Sequence, residues 1–419
     1  MPSSVKLEKE ASVFGQTGTT LLENALLIAC LPLLLSISSA NSFIEDFFSI
    51  VLPLLISHTI AADELPFGAF LTPLICLFWL YYDPPLKNSA NVKSKKKENY
   101  SITVLRGTTV LSTVISILAV DFPSVYPRRF VKTEWYGTGL MDIGVGAYIF
   151  TGAIVRGNKP VLSLGKLLIS TLPVMMLGVL RAIVNKSVDY QEHESEYGVH
   201  WNFFLTLASV RMISELFSLI SGSSKEIKIY LGIILLILHQ TLLSSTILGV
   251  WVLEDDLNRK SRNNLLWENK EGLISLMGYI SLDVLVRGCS EIILKLNSFG
   301  LFVLDVLLWG MLNLSISFVE NVSRRSANLS YVLWILAIGV MIVFLAEFLL
   351  KDAQPSPIIK ILSAHQLSVF LLANILTGIV NLSFDTLHAT KLSSLIILSF
   401  YLLLNCSLAY LMEKMNLSF

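Results

Sequence analysis

The polar positions of this chain are few and bunched, and between them run long apolar stretches with scarcely a charge. A helix rises about 1.5 Å per residue, so about 20 such residues cross a hydrocarbon core about 30 Å thick. On that ruler about thirteen runs qualify. They centre near Ile28, Leu54, Ile75, Val114, Tyr148, Val174, Ala208, Leu236, Ser281, Leu307, Leu336, Leu372 and Leu398. The run after Gly272 fits least well, because Asp283, Arg287 and Glu291 interrupt it, and the pair before Pro84 is short. The pattern predicts an all-α, polytopic integral membrane protein, with its helices in one bundle and residues 1–419 as a single multi-span domain.

Composition agrees: of 419 residues 54% are hydrophobic and 15% charged, against about a quarter charged in soluble domains. The formal net charge is zero and no basic stripe interleaves with aromatics, which sets nucleic acid aside as a partner. Cys30, Cys76, Cys289 and Cys406 sit in or beside apolar runs without metal-ligand spacing and read as packing residues. The opening residues are polar with mixed charge, so the first apolar run reads as a retained span, not a cleaved signal. The loop "DPPLKNSANVKSKKKENYS" carries Lys87, Lys93, Lys95, Lys96 and Lys97. An excess of lysine marks it as cytosolic. By parity the loops after spans four, six, ten and twelve then face the opposite, lumenal side.

Those four loops hold the candidate chemistry. "AVDFPSVYPRRFVKTEWYGTGLMDIGVGAY" combines Asp121 at a membrane boundary, two helix-breaking prolines, Arg128, Arg129, Lys132 and Asp142, and glycines at 137, 139, 144 and 146. It reads either as a turn whose arginines reach headgroups or as a site in which Asp121 takes a hydroxyl proton while a cation stabilises negative charge. "DYQEHESEYGVHWNFF" gathers Glu192, His193, Glu196 and His200; on a helix Glu196 and His200, or His193 and Tyr197, would be neighbours. No closed zinc spacing is present, and no metal is expected. "SRRSANLSYVLW" places Arg324, Arg325 and Asn328 at a span entrance. "LLANILTGIVNLSF" puts Asn374, Thr377 and Asn381 on one helical face, either bonding between helices or lining a groove for a headgroup. Arg211 and Glu215, four apart, are expected to pair. The remaining histidines, 58, 239, 365 and 388, read as structural. These residue types leave an enzyme and a multi-span lipid or solute transporter both open; a transporter is expected to carry inverted repeats, and none is visible.

The four motifs, in this order from about Val104 to Leu382, resemble those of the GPI-anchor inositol acyltransferase family, which includes the fungal GPI-anchored wall transfer protein and the animal phosphatidylinositol-glycan class W protein. The resemblance implies an enzyme of the endoplasmic reticulum membrane, without cofactor, that moves a fatty acyl group such as palmitoyl from acyl-CoA to the inositol 2-hydroxyl of glucosaminyl-phosphatidylinositol. It implies a catalytic pair, Asp121 of "DFP" and Lys132 after "PRRF", and an antifungal inhibitor pocket at Gly107 of "LRGTT". Asp121 is then expected to be the base, with Lys132 orienting it or facing the oxyanion. Arg128 and Arg129 suit phosphates, and Glu192, His193, Glu196 and His200 suit the sugar and its ammonium, with His193 or His200 as the rival base.

Overall fold

The computed structural model describes residues 4–38, 42–64, 75, 100–157, 159–188, 194–222, 224–254, 264–351 and 355–416. Among them eleven helices are long and apolar enough to cross a membrane, and a further apolar helix, Leu21–Ile37, has 17 residues. These twelve fall on twelve of the expected runs, and the chain is a multi-pass membrane protein. Most of the run around Ile75, and the lysine-rich loop after it, lie outside the described residues. Many helices begin at a side-chain cap: Thr20, Ser42, Asn202, Ser224, Ser356 and Thr390 each accept a hydrogen bond from a first-turn N–H. In a chain this apolar such caps fix where a helix starts, since hydropathy alone cannot.

Two compact units make up the chain. The first comprises Met1–Gly18, Lys132–Leu296 and Leu304–Ala337; the second comprises Thr19–Val131, Asn297–Val303 and Ile338–Phe419.

In the first unit the Lys270–Lys295 helix is the hub, packing against Lys225–Ser245, Ile143–Gly157 and Phe203–Ser221. Its charges explain both its poor hydropathy and its place. Asp283 pairs with Arg156 of the Ile143–Gly157 helix, and Arg287 pairs with Glu215 at 3.0 Å. The expected Arg211–Glu215 pair is therefore corrected: Glu215 goes to another helix, and Arg211 Nε is buried without a hydrogen-bond partner. Helix spacing makes an i, i+4 contact available, but the buried Arg287 needs an opposite charge beside it, and Glu215 is the one it meets. The hub needs small residues where neighbours cross. A Cβ on Gly278 would strike the Ala327 carbonyl, and one on Gly157 would strike Ser290.

In the second unit the Tyr100–Ala119 helix is central and packs against Pro357–Ala364 and Gln366–Ser383. Gly107 lies at this crossing, where a Cβ would come 2.5 Å from Ile359 Cγ2. Asp46 caps the Pro357–Ala364 helix, accepting from Ser356 Oγ at 2.7 Å and Ile358 N at 3.0 Å. The Lys391–Lys414 helix is fastened along its length by Ser394 to Ser124 (3.1 Å) and by the Tyr401 hydroxyl to the Val114 carbonyl (3.0 Å).

Candidate active site

The first motif is divided between the units. Residues up to Val131, with Asp121, belong to the second, and Lys132 onward to the first.

In the second unit the chain leaves the Tyr100–Ala119 helix in a tight turn, with Asp121 N bonded to Leu118 O at 3.1 Å and Val125 N to Phe122 O at 3.2 Å. Pro123 and Pro127 stop any continuation of the helix. This leaves Asp121 at the helix end, 8% exposed, where Asn381 Nδ2 donates to its Oδ2 at 2.8 Å. Asn381 thus meets the acid, while Asn374, on the same expected face, donates to the Phe370 carbonyl of its own helix at 2.7 Å. Arg128 folds back onto the Val120 and Tyr126 carbonyls at 2.9 and 3.2 Å, and its Nη1 is buried without a partner. Burial holds its guanidinium below the ordinary value, against the pull of Asp121. Arg129 is engaged within the protein: it donates to both oxygens of Glu23, to Asp63 and to the Ala62 carbonyl. It fastens its loop to the Leu21–Ile37 helix, a use the sequence did not suggest.

In the first unit three of the four loops meet at one end. Asp142 is the centre. It is fully buried and accepts from Thr133 N and Oγ1, from Gly139 N at 2.8 Å and from Arg324 Nε at 2.8 Å. Arg324 also reaches Glu196 at 3.5 Å, and Glu196 Oε2 accepts from Lys132 Nζ at 2.6 Å. The result is an alternating row of charges, Asp142, Arg324, Glu196 and Lys132, drawn from three loops and ending at Lys132, whose side chain is 33% exposed. Each buried charge has an opposite neighbour, the condition under which charges are tolerated in a low dielectric. Burial lowers the Lys132 ammonium below its ordinary value, with Glu196 opposing and Arg324 adding to the fall. Burial also pulls on Arg324, but Glu196 and Asp142 outweigh it and hold the guanidinium above its usual value.

The loop carrying Lys132 is laid against the N-terminal segment, with Glu134 N bonded to Gln16 O at 3.1 Å and a parallel bridge between Gly18 and Thr138. Gly137 has φ +132, and a Cβ there would strike the Thr17 carbonyl, so only glycine fits.

The expected Glu196–His200 helical pair of the second motif does not form. Among the described residues its helix runs Glu194–Tyr197, and Gly198 at φ +103 turns the chain away. His200 instead meets Glu268 at 3.1 Å, while Glu196 goes to Lys132 and Arg324. Glu192 and His193 lie outside the described residues. Arg325 pairs with Glu271 at 3.0 Å, both fully buried. Asn328 staples a turn, donating to Glu320 and Asn321 and accepting from Ser323 N and Tyr331 N.

Sequence reasoning missed Glu134, Tyr136 and Glu320. Tyr136 donates to Glu320 Oε1 at 2.5 Å, and burial together with that carboxylate raises its phenol above the ordinary value. The available signal was an acid followed by two aromatics, "EWY", in a polar loop.

With this geometry in hand, comparison with known proteins is informative. The GWT1 family model matches residues 5–412, well beyond the Val104–Leu382 stretch that carries the motifs. The chain is 33% identical to the glucosaminyl-phosphatidylinositol-acyltransferase PIGW of Bos taurus over 497 aligned positions, covering 98% of each chain. It is also 33% identical to GPI-anchored wall transfer protein 1 of Schizosaccharomyces pombe over 469 positions, covering 99% of each. The chain belongs to the GWT1 family.

Proposed function

We propose that this protein acylates the inositol of glucosaminyl-phosphatidylinositol, taking the fatty acyl group from acyl-CoA, in the endoplasmic reticulum membrane with its motif loops lumenal. The observation that carries this reading is family membership over nearly the whole chain, in which a full-length relative bears the name glucosaminyl-phosphatidylinositol-acyltransferase. The residues suit the chemistry. An alcohol attacks an ester-like carbonyl only once a base removes its proton, and the oxyanion that forms needs positive charge or N–H donors. Asp121 is the base: the inositol hydroxyl gives its proton to the carboxylate as the oxygen bonds to the thioester carbon. The carbon–sulfur bond then breaks, and the proton passes from Asp121 to the departing thiolate. Asn381 orients the acid from one oxygen. The family resemblance names Lys132 beside this acid, and an ammonium at the end of a row of paired charges suits developing negative charge; the unpartnered Nη1 of Arg128 suits a phosphate. The meeting of three motif loops at one end of the first unit supports their sharing a membrane face.

The test is acyl transfer from radiolabelled palmitoyl-CoA to glucosaminyl-phosphatidylinositol by the purified full-length protein in detergent. Transfer to inositol by the wild type, lost in folded Asp121→Asn and Lys132→Ala, is the expected result. An inactive wild type sinks the reading, and an active Asp121→Asn moves the base to His200 or His193.

A further inference from the structure

Where the three loops of the first unit meet, Asp142, Glu196, Glu268 and Glu271 each have a positively charged or protonatable partner within ion-pair distance. Glu134 has none among the described residues. It is 5% exposed, and its Oε1 is buried with no hydrogen-bond partner. Lys132, two residues upstream, does not serve it, being bonded to Glu196. A buried carboxylate oxygen left without a donor is disfavoured, and one in a folded protein calls for an explanation, of which a ligand that completes it is one.

The next two residues, Trp135 and Tyr136, are the opposite case: large aromatic side chains 38% and 36% exposed. They are held rigidly against the turn at 320–323. Ser323 Oγ donates to Trp135 O at 2.7 Å, Gly137 N to Val322 O at 2.8 Å, and Tyr136 Oη to Glu320 Oε1. The other Glu320 oxygen accepts only neutral amides, from Gln240 at 3.0 Å and Asn328 at 3.1 Å. Among the described residues neither Glu134 nor Glu320 has a cation within ion-pair distance, and the two flank the exposed aromatic pair, Glu134 along the chain and Glu320 through the Tyr136 hydroxyl.

We infer that Glu134, Trp135, Tyr136 and Glu320 form a subsite for a protonated amino sugar, which on the function proposed above is the glucosamine of the acceptor lipid. The ammonium completes Glu134, and the C–H face of the sugar lies on the Trp135 ring. An amino sugar offers both features at once: a cation that these acids lack and a flat apolar face that an exposed indole takes. The site stands two residues from Lys132, so an acceptor held there by its sugar brings its inositol to the loop that carries the reacting lysine.

The experiment compares two synthetic acceptors, glucosaminyl-phosphatidylinositol and its N-acetyl form, which differ in one positive charge. Full-length wild type, Glu134→Gln and Trp135→Leu are assayed with a saturating acyl donor. Wild type is expected to prefer the amine. Glu134→Gln keeps shape and hydrogen-bonding capacity; it is expected to raise KM for the amine about 10- to 100-fold, the loss of one charge-assisted bond, with kcat and the N-acetyl acceptor little changed. Trp135→Leu, at an exposed position, is expected to raise KM for both acceptors alike. Equal KM values in the wild type overturn the inference while leaving the proposed function intact, whereas acylation of neither acceptor overturns both. A Glu134→Gln that loses kcat equally on both acceptors makes Glu134 a catalytic or folding residue and also overturns it. If Trp135→Leu changes neither KM, the aromatic pair serves the membrane interface instead.

Discussion

Lys132 in the first unit and Asp121 in the second are held by different kinds of partner. Around Lys132 in the first unit, charge is neutralised by charge: Asp142, Arg324, Glu196 and Lys132 alternate, and Arg325–Glu271 and Arg287–Glu215 repeat the device deeper in the same unit. Around Asp121 in the second unit the acid accepts a hydrogen bond from a neutral amide, that of Asn381. Paired charges rigidify a site but leave each group committed to its partner. An amide fixes an acid in space and leaves its basicity available, which is what a proton-accepting group requires.

The sharpest way to break the comparison is Arg324→Met. It strips the fully buried Asp142 of its counter-ion and Glu196 of its second one, and loss of one partner from a buried pair costs about 3–5 kcal/mol. Denaturation in detergent is expected to show a fall of that order, and a melting curve like that of the wild type would mean the row of charges is not structural. Asp121→Asn probes the other unit. The new amide can still accept from Asn381, so melting is expected to hold while kcat falls by about 10²–10⁴, the range for loss of a general base. Gly107→Ala tests the crossing of the Tyr100–Ala119 and Pro357–Ala364 helices in the second unit. Ile359 has to move aside, an overpacking that costs about 1–3 kcal/mol and is read as a lower melting temperature with the wild-type acceptor KM. The smallest effect concerns pH. Burial lowers the Lys132 ammonium, so it loses its proton, and its positive charge, as pH rises through a value below that of an ordinary lysine. The alkaline limb of the rate profile is expected to begin correspondingly early and to shift upward in Lys132→Arg, whose guanidinium stays charged. An unmoved limb assigns that titration elsewhere.

Much of the fold was legible because bilayer thickness imposes a length that apolar runs must meet. Even the run most interrupted by charge, Lys270–Lys295, proved to be a helix, with Asp283 and Arg287 paired to neighbouring helices. The candidate site was legible as residue types and as four loops on one predicted face. Its wiring was not. Glu196 and His200 looked like a helical pair until Gly198 turned the chain, and Arg211 looked like the partner of Glu215. Glu134 passed unnoticed because an acid in a polar loop looks solvated when its burial is unknown.

The sequence by itself determined that this is an all-helical membrane protein, roughly where its spans lie, and which short polar motifs are the candidates for its chemistry, because hydropathy and motif spacing are local properties of the chain. Only the tertiary structure decided which acid meets which cation, that Asp121 accepts from Asn381, and that Glu134 is buried with no cation within ion-pair distance among the described residues. In a low dielectric an opposite charge within a few ångströms outweighs any preference along the chain, and which groups come that close is set by helices packed far apart in sequence.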